Sequence, residues 1–234
     1  MPVFQYSTAS ALMAGVAAHG ITLEELVRHG RYGLGTMLGI DGEVIVTDGT
    51  AYHLCADASP RVVPPDAQLP FAMVANIDDG AHPCTWPSIS SKDGLIDLLR
   101  SAERESDNRF VVFRAHGAFD YVKVRVVRGQ VYPGQPLAEL GDAQKVVEIE
   151  NTVGQLVGFV TPSYLAGVSV AGLHVHFLSD DKQLGGHVLE LKADKEITAA
   201  TCSPGELSLR LPGSKEFAHA NLDADKEALH KVEG

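Results

Sequence analysis

Gly172-Leu173-His174-Val175-His176-Phe177-Leu178-Ser179-Asp180-Asp181-Lys182-Gln183-Leu184-Gly185-Gly186-His187-Val188-Leu189-Glu190-Leu191 holds the chain's most informative pattern. Strand residues two apart share a face, so His174 and His176 leave an apolar run on the same side. The run breaks at Ser179-Asp180-Asp181, residue types that favour turns. It resumes at Gly185-Gly186, with His187, Leu189 and Leu191 on alternate positions. The pattern predicts a β-hairpin that returns His187 beside the first two histidines. Three neutral imidazoles converging on one face make a divalent-metal site. Three protein ligands with an open position is the arrangement of a catalytic zinc rather than a structural one.

A histidine in an apolar strand is ordinarily a core residue with one satisfied hydrogen bond. That explanation serves for one histidine and poorly for three, because each ring would need its own polar partner. A His-x-His pair with a distant third histidine also occurs in cupin-like barrels, so the spacing names neither the metal nor the reaction.

The chain has 234 residues, 45% hydrophobic and 21% charged, ordinary for a soluble globular protein of one large domain or two small ones sharing a core. The net charge of −11 argues against nucleic acid as a partner. It is also awkward for an anionic substrate, which would need a local positive site such as a metal ion and a nearby arginine. Cys55, Cys84 and Cys202 are odd in number and far apart, with no Cys-x-x-Cys, so reduced cysteines in a cytosolic protein are the simplest account. The run Ala11-Leu12-Met13-Ala14-Gly15-Val16-Ala17-Ala18 superficially resembles a signal-peptide core. No Lys or Arg precedes it, and it reads as a short helix. No apolar run approaches membrane-spanning length.

Ser7 or Thr8 is placed to cap that helix through Ala18, and Thr22-Leu23-Glu24-Glu25 opens a second helix with capping-box spacing that Gly30 would end. Asp41-Gly42 and Asp48-Gly49 are tight-turn signals, so residues 33–55 read as a β-meander. Glu43 beside the first turn reads, on its own, as a solvated carboxylate, and Thr36 as a strand-surface hydroxyl. Residues 59–70 are an extended edge or loop, residues 71–75 a buried strand, and His82 to Pro87 an irregular segment. Ser91 or Asp93 starts a helix running to Arg104. Residues 110–117 and 118–127 read as two strands. Arg125, in the second, is either an exposed edge residue or a group projecting into a polar cavity to grip an anion. A Pro/Gly connector spans 129–140. Residues 143–150 read as a short helix or strand, 154–161 as a strand, and Val168-Ser169-Val170 as a further one. Strands at 197–200 and 207–211 follow, and Asp223 is placed to cap a terminal helix to Val232. The fold class is therefore α+β. A mixed-sheet half (1–128) continues into an antiparallel, barrel-like half (129–234) that carries the histidine hairpin and C-terminal helix, the two sharing a core.

The residues also match a known family. Gln5-Tyr6-Ser7-Thr8, Ser10-Ala11-Leu12-Met13, Gly33-Leu34-Gly35-Thr36, Asp41-Gly42-Glu43, Leu156-Val157-Gly158-Phe159, Thr161-Pro162, His174-Val175-His176-Phe177-Leu178-Ser179-Asp180-Asp181 and Gly185-Gly186-His187-Val188-Leu189 carry the match. On these the sequence resembles the α-acetolactate decarboxylase family along nearly its whole length. The resemblance implies a catalytic zinc held by His174, His176 and His187, an active-site arginine at Arg125, a first glutamate at Glu43, a threonine near the substrate at Thr36, and a second glutamate at Glu233. It also implies a homodimer, while the cysteine usage, hydropathy and net charge above point to a cytoplasmic protein without membrane or nucleic-acid partners. Gly172-Leu173-His174-Val175-His176 departs from the family's more usual Gly-Tyr-His-Leu-His. The substituted positions alternate with the histidines and should pack on the opposite face.

The implied reaction converts 2-acetolactate to acetoin and carbon dioxide through a metal-stabilised enediolate. Arg125 would hold the carboxylate or assist protonation, while Glu43 and Glu233 are better suited to manage protons, a guanidinium being a poor acid. No organic cofactor is required, because the ketone is the electron sink. The alternatives are a cupin-like metal-dependent oxygenase or hydrolase, marked by oxygen consumption or by an activity that iron supports and zinc does not. A non-catalytic metal-binding or sensor module would be marked by metal uptake without carbon dioxide release.

Overall fold

Runs of alternating apolar residues build two main sheets that meet across a shared core. In the computed structural model, residues 2–55, 59–77, 81–104, 107–141 and 144–223 are described. In chain order the strands are β1 (Val3–Tyr6), β2 (Ile21–Thr22), β3 (Tyr32–Met37), β4 (Asp41–Thr47), β5 (Thr50–Leu54), β6 (Pro60–Val62), β7 (Gln68–Leu69), β8 (Phe71–Ala75), β9 (His82–Trp86), β10 (Val111–Val126), β11 (Lys145–Thr161), β12 (Gly172–Ser179), β13 (Gly185–Lys192), β14 (Ile197–Cys202) and β15 (Leu207–Arg210). The helices are α1 (Ala9–Met13), α2 (Leu23–Leu26), α3 (Lys92–Ala102), α4 (Leu137–Leu140) and α5 (Lys215–His219).

The first sheet has the order β15-β1-β8-β3-β4-β5-β6, mixed because β15 runs parallel to β1, and β2 and β7 pair separately. The second sheet is antiparallel, in the order β11-β12-β13-β10-β14-β9. One edge of β10 pairs with β11, and the other pairs with β14 and then with β13. The chain is thus α+β and mostly strand. The two sheets do not divide it at residue 128: β9 and β10 lie in the second sheet and β15 in the first. A strand joins whichever free edge its apolar face fits, whatever its place in sequence.

Leu34, Ile45, Leu54, Phe71 and Met73 of the first sheet and Val112, Val157, Phe159, Leu178 and Ala200 of the second form the shared core. Leu173, Val175 and Phe177 face the other way, into a second core with Phe113, Phe119, Leu156 and Val188 that Leu95 and Leu99 of α3 complete. Leu173 and Val175 therefore pack opposite the histidines, as alternation predicts. A third cluster sets Leu23 and Leu26 of α2 against Val44, Val46, Ala72 and Val74.

Local signals held at the caps. The side chains of Thr8, Thr22 and Ser91 accept from the backbone N–H of Ala11, Glu25 and Gly94. The meander over β3, β4 and β5 is also present, with Asp48 and Gly49 both at positive φ in its second turn, but its first turn is the 3-10 segment Leu38–Ile40 rather than Asp41-Gly42, which open β4.

Several expectations need correction. α1 stops at Met13 rather than Ala18, because the chain turns at Gly15 (φ +81°) against the backbone of Gly134 and Gln135, where a Cβ would lie 2.7 Å or less away. α2 ends at Leu26, before Gly30. Gly30 instead admits the backbone of Ala75, 2.4 Å from where its Cβ would be. Residues 82–86 form a strand, since they find the edge of β14. The two strands read over 110–127 are one, because pairing with β11 continues across Gly117 and Ala118. Residues 145–150 are the start of β11. Val168 is not in a strand: its carbonyl accepts from the Ala9 N–H and the Gln5 side chain. The alternation after His187 also fails. A register shift opposite Lys123 and Val124 buries Val188 and Leu191 and leaves Leu189 half-buried, as a bulge does. The terminal helix expected as far as Val232 falls beyond Asp223, outside the described residues, as does Glu233. The three cysteines are free.

Candidate metal centre

β12 and β13 form the predicted hairpin, and their register sets His176 directly opposite His187. His174 lies two residues along β12 on the same face. The ring centroids of His174 are 5.1 Å from His176 and 5.0 Å from His187, and the last two are 5.6 Å apart. One ligand atom from each ring lies within 4.8 Å of the others. Nitrogens sharing an ion at about 2.0–2.1 Å sit roughly 3.4 Å apart in a tetrahedron. The set therefore needs a contraction of order 1 Å, within reach of small ring rotations.

His176 shows how the protein prepares a ligand. Its Nδ1 is 2.8 Å from the Val44 carbonyl, on the first sheet. A carbonyl only accepts, so Nδ1 carries the proton and Nε2 presents its lone pair to the cluster. That Nε2 is 3.5 Å from Oε2 of Glu43. The histidines are 5%, 0% and 0% exposed in chain order, so bulk solvent does not reach them. Burial lowers the pKa of all three, and the charge of Arg125 lowers each further; for His176 the value falls to about 4. At neutral pH the rings are uncharged, the state a metal requires. Donor type, protonation and convergence all fit a divalent cation.

A pH prediction follows for the metal-free protein. The folded state keeps His176 neutral down to about pH 4, whereas an unfolded imidazole charges near about pH 6.5. Between those values the unfolded chain binds more protons, so stability is full above about pH 6.5 and falls as pH drops towards 4. Each depressed histidine contributes at most about 1.4 kcal/mol per pH unit in that window. Urea denaturation of chelator-treated protein at pH 7.5 and 5.0 should show a clear loss of stability at the lower pH, with a smaller loss in His176→Gln. Equal stability of the wild type at both values would mean that the rings are charged in the folded protein.

The other predicted residues gather here, with one exception. Arg125 of β10 is the cross-strand partner of His187 and is 6% exposed. It is paired on both sides, by Val146 and His187, and buried, so the reading of it as an exposed edge residue fails. Thr36 and Glu43 are cross-strand partners on β3 and β4, buried at 4% and 9% exposure. The solvated reading of Glu43 fails because the second sheet covers it. Thr36, Glu43 and His174 line one narrow cavity, walled by Leu12, Ile40, Phe71, Val127 and Leu137. That apolar wall went unread in the sequence. Leu12 and Leu137 come from two separate short helices, α1 and α4, the second inside what the sequence reads as a Pro/Gly connector, and no periodicity links them.

Two facing sheets with a buried three-histidine cluster, an arginine, a glutamate and a threonine define a small-molecule enzyme pocket that could hold a metal ion. The model of the alpha-acetolactate decarboxylase family matches residues 3–224. An alpha-acetolactate decarboxylase of Methylococcus capsulatus is 37% identical over 233 residues, covering 99% of this chain and 88% of that protein. One from Klebsiella aerogenes is 34% identical, covering 94% and 84%. The crystal structure of alpha-acetolactate decarboxylase from Bacillus subtilis strain 168 superposes with a TM-score of 0.92 at 30% identity, covering 100% of both chains. The chain belongs to the alpha-acetolactate decarboxylase family and is an enzyme of that activity. Among the described residues no helix is long and apolar enough to cross a membrane.

Proposed function

We propose that the decarboxylase is zinc-dependent, with His174, His176 and His187 as the metal ligands and Arg125, Glu43, Thr36 and Glu233 serving the substrate. The observation that carries this reading is the buried imidazole cluster with its ligand atoms within 4.8 Å, set beside Glu43 and Arg125. Nitrogen donors alone suit zinc, and three protein ligands leave room for substrate oxygens. Zinc, when bound, supplies a Lewis acid that stabilises negative charge developing on the ketone oxygen.

The rest is work for side chains. In 2-acetolactate the bond between the hydroxyl-bearing carbon and the carboxylate breaks. Its electron pair forms a carbon–carbon double bond, and the ketone π pair moves onto oxygen. Carbon dioxide leaves, and a proton added to carbon restores a ketone as acetoin, so the net reaction takes up one proton. Arg125 meets the carboxylate with two parallel N–H donors, fixing the breaking bond out of the carbonyl plane. Glu43 carries the proton, since a carboxyl exchanges protons near neutrality far more readily than a guanidinium. The Thr36 hydroxyl donates to the Gly42 carbonyl at 2.6 Å, so its lone pairs remain to accept from a substrate hydroxyl.

Metal analysis of the purified protein, combined with acetoin and carbon dioxide formation from racemic 2-acetolactate, tests the reading. Acetoin formation by fully metal-free protein would refute it. Glu233 shares the proton work in this proposal. A protein ending at His230 should turn over at least about tenfold more slowly, the lower end of what general acid–base groups contribute. An unchanged rate would remove Glu233 from the site.

A further inference from the structure

Thr161 closes β11 with a buried hydroxyl. The residue is 2% exposed, and its Oγ1 has no hydrogen-bond partner among the described residues. Burying a hydroxyl without a partner costs free energy. Valine has the same shape, suits a strand as well and would avoid that cost.

The strand registers fix what surrounds this hydroxyl. Residues directly opposite in an antiparallel pair share a face. β12 sets His174 opposite Phe159 and Gly172 opposite Thr161, and β10 sets Val112 opposite Phe159. Thr161 therefore stands on the face that carries the histidines, with Val112, Phe159, Gly172 and His174 as its neighbours there. Val112 and Phe159 belong to the shared core, and Gly172 has no side chain. The imidazole of His174 is the one polar side chain among the four. Diagonal neighbours of this kind lie about 7–8 Å apart, within reach of an aromatic side chain.

A histidine that gives one ring nitrogen to a cation carries its proton on the other. The acceptor of that N–H fixes the tautomer and the plane of the ring. His176 has its acceptor in the Val44 carbonyl. We infer that Thr161 supplies the acceptor for His174: its Oγ1 receives the His174 N–H in the metal-loaded protein, which makes Thr161 a positioning residue of the metal centre. This rests on the reading of His174, His176 and His187 as ligands.

The test measures zinc affinity by competition with a chromophoric chelator, and stability by urea denaturation of chelator-treated protein. Thr161→Val should bind zinc about 10–100-fold more weakly, the usual cost of losing such an acceptor, whereas Thr161→Ser keeps the hydroxyl and should stay within about threefold of wild type. Without metal, the valine variant should be at least as stable as wild type, because it removes a polar group that bonds no described residue. A purely structural role predicts the reverse: valine would weaken the metal-free fold and leave zinc affinity alone, and that result would overturn the inference. If Thr161→Val does not fold, Thr161→Ala set against Thr161→Ser carries the same comparison, and equal zinc affinity in that pair would also overturn it. Tight zinc binding by wild type with equal affinity in Thr161→Val would sink the role of Thr161 alone. A wild type that takes up no zinc would bring down the ligand reading and this inference together.

Discussion

His187→Ala is expected to lose the metal and to decarboxylate 2-acetolactate at least about a thousandfold more slowly, a loss near 4 kcal/mol of transition-state stabilisation. The ring is 0% exposed and faces His176 directly across the hairpin. Its removal leaves two imidazoles, too few to retain an ion against dilution and too few to orient a chelating substrate. His174→Ala and His176→Ala should behave alike, and in the latter the Val44 carbonyl also loses its partner. Because alanine opens a cavity in a buried site, His187→Gln serves as a second variant, keeping volume and polarity without an imidazole. Elemental analysis alongside acetoin formation decides the matter, with circular dichroism to confirm the fold. Wild-type turnover by a variant carrying no metal would end the proposal that these rings hold a catalytic ion.

Arg125→Ala should lower turnover by about a hundredfold to a thousandfold, the range for losing one well-placed electrostatic group, while metal stays bound. The guanidinium lies beside His187, and its charge is among the causes that lower the pKa of all three histidines. That same charge repels a cation, so the alanine variant should hold the ion at least as tightly as the wild type. A metal ligand would behave in the opposite way, which makes the two readouts together diagnostic. Arg125→Lys should recover only part of the rate, because an ammonium restores charge without the planar pair of donors. Activity within twofold of wild type in the alanine variant, with metal bound, would remove Arg125 from the machinery.

The histidine hairpin was legible because everything that forms it is local. Period-two alternation, a Ser-Asp-Asp turn and two glycines set the pairing of β12 with β13. The same locality made the caps at Thr8, Thr22 and Ser91 readable. Beyond that range the signal fades. Glu43 looks solvated beside its turn and becomes buried when the second sheet covers it. Arg125 sits in a valine-rich strand whose alternation suits an edge as well as a cavity. The bulge at Leu189 breaks a sequence alternation that looked intact. The left-handed backbone of Ile40, at φ +56°, has no mark in sequence, since an isoleucine there contradicts ordinary preference.

The sequence by itself determined the family, the α+β character, and the identity and common face of the three histidines, because short-range backbone geometry and side-chain type suffice for those. The tertiary structure decided the depth of the site, the neutrality of its rings, the orientation of His176 and the shape of the apolar wall. These depend on dielectric surroundings and on contacts such as the bond from His176 to Val44, 132 residues away. No pattern along the chain specifies which distant carbonyl a ring will meet. Only the packing of one sheet on the other fixes that.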